Sequence, residues 1–206
     1  MNTIREAFRT NPYLMEFQKV DAVAKFFEAV ARGDEGWQHR TDADQHRHRL
    51  WRTFAYAVPT GEALELLARY APILEIGAGS GYWASLLRQG GVEVAAFDKF
   101  AIADNEYFDG NSPTYTKVER GSDNVVRKYP GHTLFLCCPP PNHKLALNCL
   151  NQFCGKHVAI VGDVSYCATV EFYQQLADWD FEAEVILPRF PGYDDSLTIY
   201  TRHARG

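Results

Sequence analysis

Ile73-Leu74-Glu75-Ile76-Gly77-Ala78-Gly79-Ser80-Gly81-Tyr82-Trp83 decides the reading of this chain. An apolar run of strand length enters a turn with glycine at every second position, and a segment of helical texture follows. Glycine lets the backbone fold sharply and leaves bare main chain for a ligand to approach, while a helix start behind it presents free N–H groups. The next apolar run, Val92-Glu93-Val94-Ala95-Ala96-Phe97-Asp98, ends in a carboxylate. Asp98 follows Gly77 at about twenty residues, the separation at which the acid of a second strand accepts from ribose hydroxyls. Together these features predict a nucleoside-bearing ligand at the carboxyl ends of the first two strands.

Working outward, short apolar runs at 73–76, 92–97, 115–118, 133–137 and 157–161 alternate with helix candidates at about 82–90, 122–129, 143–153 and 169–179. Such alternation predicts an α/β fold with a mainly parallel sheet and helices on both faces. Runs at 182–187 and 197–200, joined by a loop containing Pro191-Gly192, read as an antiparallel pair closing a seven-stranded sheet. Residues 1–70 read as an N-terminal helical extension or cap, and 71–206 as the α/β domain. Val20, Val23, Ala24, Phe27 and Val30 recur at helical spacing, and Thr60 is placed to cap a helix carrying Leu64, Leu66 and Leu67. Between them, 39–52 is rich in His and Arg. Its charges are mixed in sign, which fits a solvated helical face, with Arg47, Arg49 and Arg52 as a rim for an anionic acceptor, RNA included, as the alternative.

The composition narrows the class. The chain has 206 residues with Lys+Arg 21 against Asp+Glu 26, a net charge of -5, and is 46% hydrophobic and 23% charged. These values suit a globular domain and exclude disordered, collagen-like and disulfide-scaffold classes. The mild acidity carries no strong nucleic-acid signal. No apolar stretch is long enough to span a membrane, and the polar start, Met1 to Glu6, does not read as a secretory signal. Five cysteines (Cys137, Cys138, Cys149, Cys154, Cys167) include an adjacent pair and complete no zinc set with His. A reducing, cytoplasmic setting without a bound metal is expected.

The nucleoside is narrowed by what the turn lacks. A dinucleotide fingerprint needs glycine where Tyr82 stands, and no Gly-Lys-Ser/Thr follows to make a P-loop. The acid two residues before the first glycine (Glu75), the compact Gly-x-Gly-x-Gly turn and Asp98 instead resemble the class I (Rossmann-like) S-adenosylmethionine-dependent methyltransferases. The resemblance covers about residues 72–201. It implies that S-adenosyl-L-methionine is the cofactor, with Glu75, Gly77, Ala78, Gly79, Gly81 and Tyr82 on its methionine and ribose side. Asp98 then takes the ribose, Gly121 and Ser122 the adenine side, and Cys138 and Pro139 the wall near the methyl group.

In that family the loop after the fourth strand faces the methyl. Here it reads Cys137-Cys138-Pro139-Pro140-Pro141-Asn142-His143. Cys138 stands where enzymes that methylate base amino groups carry Asp or Asn, and Pro141 where they carry an aromatic. The Cys-Pro order also reverses the pair used in cytosine-carbon methylation. The catalytic candidates are therefore His143, as a base, and Asp163, at the end of the fifth strand. Tyr56 and Pro59 are placed to fold over the cofactor as part of a lid. The acceptor (small molecule, protein or RNA) is left open; thirteen Phe, eleven Tyr and four Trp supply material for an aromatic pocket. Two other readings stand beside the enzyme: a methyltransferase-like module that binds the cofactor without catalysis, and an NAD-linked oxidoreductase.

Overall fold

The computed structural model describes residues 8, 11–108 and 111–203. The expectation about the start of the chain, Met1 to Glu6, lies outside them. Four helices come first: α1 (Pro12–Gln18), α2 (Asp21–Ala31), α3 (Trp37–Thr53) and α4 (Gly61–Ala68). The sheet strands then alternate with helices: β1 (Ile73–Ile76), α5 (Tyr82–Gln89), β2 (Val94–Asp98), β3 (Glu119–Arg120), β4 (Thr133–Cys137), α6 (Leu145–Gln152), β5 (His157–Gly162) and α7 (Val170–Leu176). β6 (Trp179–Ile186) and β7 (Ser196–Arg202) end the described chain. No helix among the described residues is long and apolar enough to cross a membrane.

The seven strands lie in the order β3-β2-β1-β4-β5-β7-β6. β1 is buried along its whole length and pairs in parallel with β2 on one side and β4 on the other. Chain direction changes at β7, which runs antiparallel to both β5 and β6. The sheet is mixed rather than mainly parallel. Its parallel strands are short, and the two antiparallel ladders of β7 pair as many residues as the four parallel ladders together. A tight connection between β6 and β7 permits only this geometry, whereas each parallel step needs a crossover.

Two other expectations shift. The strand expected at 115–118 forms at Glu119–Arg120, because Tyr115 turns inward: its ring meets Tyr82 at 4.7 Å and its hydroxyl donates to the Thr53 carbonyl. The helix expected over 122–129 is a 3-10 helix, Asp123–Lys128.

Side-chain alternation along the strands divides the core between the two sheet faces. Leu74, Ile76, Leu134 and Leu136 point to one face and meet Leu150 and Phe172 from the helices there. Ile73 and Phe135 point to the other, where Leu64, Trp83 and Leu87 join Tyr13, Val23 and Leu50 from α1, α2 and α3 in one apolar cluster. In α3 the buried positions are Ala43, Arg47 and Leu50, one stripe of a helix whose His46, His48 and Arg49 face solvent. The solvated face expected for 39–52 therefore has an exception in Arg47.

Asn11 fastens α1 to the sheet domain. Its Oδ1 accepts from Leu14 N at 3.2 Å as the helix cap and from the Tyr82 hydroxyl at 2.6 Å, while its Nδ2 donates to the Pro59 carbonyl. Asn11→Ala leaves the buried Tyr82 hydroxyl and the Pro59 carbonyl short of partners, so it costs about 2–3 kcal/mol. Urea unfolding of both proteins measures the difference in midpoint.

Candidate functional site

The carboxyl ends of β1, β2 and β4 open on one cavity of about 680 Å³, within the range of small-ligand sites. It sits where the chain leaves β1 toward β2 on one side while β4 lies on the other, the switch point at which open α/β sheets bind ligands.

The glycine turn is held by backbone and by one side chain. Gly77 N and Ala78 N both donate to the Phe97 carbonyl, at 2.9 and 3.0 Å, and Gly81 N donates to the Ala78 carbonyl at 2.8 Å. Asp98 Oδ2 accepts from Gly79 N and Oδ1 from Phe100 N, each at 2.9 Å. Burial raises the Asp98 pKa, and these N–H groups act against the rise. At Gly79 the backbone has φ +53°, and a Cβ built there would stand 2.6 Å from Phe108 Cε2, so the Phe108 ring packs directly on bare main chain. At Gly81, with φ +73°, the space is taken by Thr116 and Val118.

Glu75 is buried beneath this turn. Its Oε2 has no hydrogen-bond partner, and burial, partly opposed by the Arg88 charge, pushes its pKa up to about 8. Trp83 Nε1 is likewise buried without a partner, and both side chains line the cavity. An orphaned acceptor and an orphaned donor at one cavity wall are the condition in which a ligand supplies the missing bonds.

Of the residues singled out in the sequence, Glu75, Gly77, Ala78, Gly79, Asp98, Gly121, Ser122, Cys138, Pro139 and His143 all line this cavity. Gly81, Tyr82 and Asp163 do not. Gly81 faces Thr116 and Val118, and Tyr82 is turned toward α1, its hydroxyl bonded to Asn11 and to Tyr13 N. Asp163 accepts from Ser165 N (2.8 Å), Ser165 Oγ (2.7 Å) and Asp194 N (2.9 Å), tying β5 to the β6–β7 loop. Burial tends to raise its pKa, but these hydrogen bonds outweigh it and hold the carboxyl below its usual range. His143 stands exposed at the rim, where its N–H donates to the Pro140 carbonyl at 3.3 Å. Burial pushes the Cys138 thiol well above its ordinary range, so it is no thiolate at neutral pH.

The sequence reading missed most of the aromatic wall. Trp51, Tyr56, Phe100, Tyr107, Phe108 and Tyr166 line the cavity, and of these only Tyr56 had been placed there. Trp51 stacks on Tyr56 with centroids 4.6 Å apart and donates from Nε1 to the Tyr107 carbonyl at 3.0 Å. α3 thereby reaches the loop that follows β2. Pro59 stays outside, its carbonyl bonded to Asn11.

No protein-family model matches the chain, and no curated protein sequence does. Solved structures are similar to it at low identity. An uncharacterized protein from Listeria monocytogenes serotype 4b aligns with TM-score 0.44 and 10% identity over 70% of this chain and 66% of its own. CalO1, a methyltransferase of calicheamicin biosynthesis in an SAH-bound form, aligns with TM-score 0.41 and 12% identity over 96% and 70%. Human N-acetylserotonin methyltransferase in complex with SAM aligns with TM-score 0.39 and 13% identity over 98% and 66%. The match thus spans about two thirds of each of these chains.

Glu75 gives the site a pH dependence whose sign is fixed. Between its ordinary 4.5 and the raised value of about 8, the folded chain keeps a proton that the unfolded chain releases. Stability therefore falls as pH rises through that window, by at most about 1.4 kcal/mol per pH unit. Glu75→Gln removes this slope. Urea titrations of the two proteins at pH 5 and pH 8 test it, and parallel curves would refute the burial argument.

Proposed function

We propose that the chain is an S-adenosylmethionine-dependent methyltransferase that holds its cofactor between Glu75 and Asp98. The observation that carries this reading is the pairing of two buried carboxylates in one cavity: Glu75 with an unsatisfied oxygen, and Asp98 with two of its roughly four acceptor positions taken by backbone. Glu75, which burial keeps protonated in the folded chain, suits the ammonium of a methionine moiety, whose positive charge lowers the carboxyl's pKa and favours its ionised form, and Asp98 suits the hydroxyls of a ribose. Gly121 and Ser122, with Ser122 N held by Asn124 Oδ1 at 2.9 Å, suit the adenine side. When bound, the sulfonium supplies an activated methyl group. The chain's own residues then have to hold the acceptor in line and exclude water. Cys138, Pro139 and Pro140 form the wall for this, and Tyr56, Trp51 and Tyr166 also line the cavity. The five free cysteines suit a cytoplasmic setting.

A second reading, a module that binds the cofactor without transferring methyl, is favoured by one observation. Burial keeps the Cys138 thiol of the wall un-ionised, and His143 stands exposed at the rim, so neither is set up as a base beside the wall. An NAD-linked oxidoreductase has no such support, and titration of the chain with NADH, read by fluorescence, should show no binding.

Calorimetry with S-adenosylhomocysteine tests the cofactor. Asp98→Asn, which keeps one carbonyl oxygen for the backbone, is expected to weaken binding tenfold or more. Gly79→Arg, which collides with Phe108 and fills the turn, is expected to abolish it. Undiminished affinity in both variants removes the assignment. Labelled-methyl transfer to pooled acceptors, lost in Gly79→Arg, separates the enzyme from the binding module.

A further inference from the structure

Three thiols meet in the cavity wall. Cys137, Cys138 and Cys167 line the cavity, whereas Cys149 is buried beside Leu150 in the core and Cys154 is exposed. The β4–β5 ladder ends with Cys137 paired to Val161. One residue on, Cys138 N donates to the Val161 carbonyl at 2.8 Å, and Gly162 follows Val161. A Cβ built at Gly162 would collide with Cys167 Sγ and stand 3.2 Å from Cys138 Sγ. The space over the bare α-carbon of Gly162 is therefore where these two sulfurs come together, and the Cys138 thiol interacts there with that of Cys167.

Backbone bonds hold both residues in place. Cys167 N donates to the Asp163 carbonyl at 2.9 Å, which closes the turn after β5, and Ala168 N donates to the Pro139 carbonyl at 2.7 Å, one residue beyond each thiol. Cys138, with φ +46°, and Ala168, with φ +59°, are the non-glycine residues with positive φ among the described residues. That conformation persists only where the surroundings enforce it.

Reach decides which pair can bridge. Cys137 also touches Cys138, but α-carbons of adjacent residues stand about 3.8 Å apart, short of the roughly 4.4–6.8 Å that an ordinary disulfide spans. Cys138 and Cys167 approach from separate loops and escape that limit. We propose that Cys138 and Cys167 are a site of oxidative modification, forming a reversible disulfide across the cavity wall when a hydroperoxide enters. The proposal goes beyond the cofactor reading and does not rest on it. Cys138, the more exposed of the two, attacks a peroxide oxygen as its thiolate; an S–O bond forms, the O–O bond breaks and hydroxide leaves. The Cys167 sulfur then attacks the resulting sulfenic sulfur, and the sulfenic oxygen departs as water with the Cys167 proton. In sum, two thiols lose two hydrogens and hydrogen peroxide is reduced to two waters. Burial keeps the Cys138 thiol protonated, so the first step is slow at neutral pH and faster in alkali, while the neighbouring sulfur speeds the second. The bond ties the loops after β4 and β5 together.

The test uses the full chain carrying Cys154→Ser, because the exposed thiol would otherwise link two copies. It is treated with hydrogen peroxide at pH 9, and intact mass and peptide mapping read the product. The expected result is a loss of two hydrogens per chain, reversed by dithiothreitol, with one linked peptide pair joining Cys138 to Cys167. Adding Cys167→Ser should abolish the link and leave a sulfenic acid at Cys138 that dimedone traps, whereas adding Cys137→Ser should leave the link intact. Should a variant fail to fold, the peptide map of the Cys154→Ser chain decides alone. A link through Cys137 or Cys149, oxygen added with no link, or thiols that stay reduced overturns the inference. S-adenosylhomocysteine takes no part in the readout, so failure here leaves the cofactor reading untouched.

Discussion

The carboxylate of Asp98 holds two segments at once, the glycine turn through Gly79 N and the segment after β2 through Phe100 N, from a position with little access to water. Hydrogen bonds to a charged group are among the stronger ones available to a protein, and burial raises the cost of breaking them. The consequence runs in both directions along the chain. Fixing Gly79 places Ala78 and Gly77 under the Phe97 carbonyl, and so fixes the path from β1 into α5. Fixing Phe100 sets the departure of the loop that carries Tyr107 and Phe108 back over the turn. The shape of the cavity's floor and of its cover thus share one anchor.

Around that anchor the structure departs from the rule that buried polar groups find partners. Glu75 Oε2, Trp83 Nε1, Arg47 Nε and Nη2, and the Tyr13 hydroxyl are all enclosed and unsatisfied. Glu75 and Trp83 line the cavity, and Arg47 stands behind the rings that do. Scattered through the core, such atoms would be a defect. The two at the cavity wall, Glu75 Oε2 and Trp83 Nε1, stand where a bound group can complete their hydrogen bonds. The apolar faces of the sheet, with Leu74, Leu134 and Phe172 on one side and Ile73, Trp83 and Phe135 on the other, supply the stability against which these groups are held.

Much of this was legible in the sequence, because the features concerned are local. A strand of four apolar-flanked residues, a turn of alternating glycines and an acid at the next strand's end are each set by neighbours along the chain. Thr60 could be read as a cap for the same reason, and its hydroxyl accepts from Ala63 N at 3.2 Å. What escaped depends on distant pairing. Tyr115 reads as a strand residue by its pattern, yet its ring is claimed by Phe54 and Tyr82, and β3 forms further on. Arg47 reads, with Arg49 and Arg52, as an exposed rim residue rather than a buried one. Only the i, i+4 relation of Ala43 to Arg47 and the apolar Leu50 three residues on hint that it lies on the buried stripe. Asp163, at a strand's end, reads equally as a contact for the acceptor and as a turn residue, and its carboxylate accepts from Asp194 N, 31 residues later, to close a loop.

The loop after β4 shows what kind of work this site is built for. Cys138 has φ +46°, a conformation that costs a non-glycine residue about 1–2 kcal/mol, and it is retained by bonds on both sides. Its N–H donates to the Val161 carbonyl at 2.8 Å, and the carbonyl of the next residue, Pro139, accepts from Ala168 N at 2.7 Å. With Pro140 and Pro141 following, the wall beside the proposed methyl position has little freedom to move. The Cys138 thiol is kept protonated by burial, so it offers shape and dryness rather than a proton acceptor. Transfer of a methyl from a sulfonium needs those two properties first, since the leaving group is already activated. On the proposed reading, a wall of this kind serves an acceptor that arrives able to react.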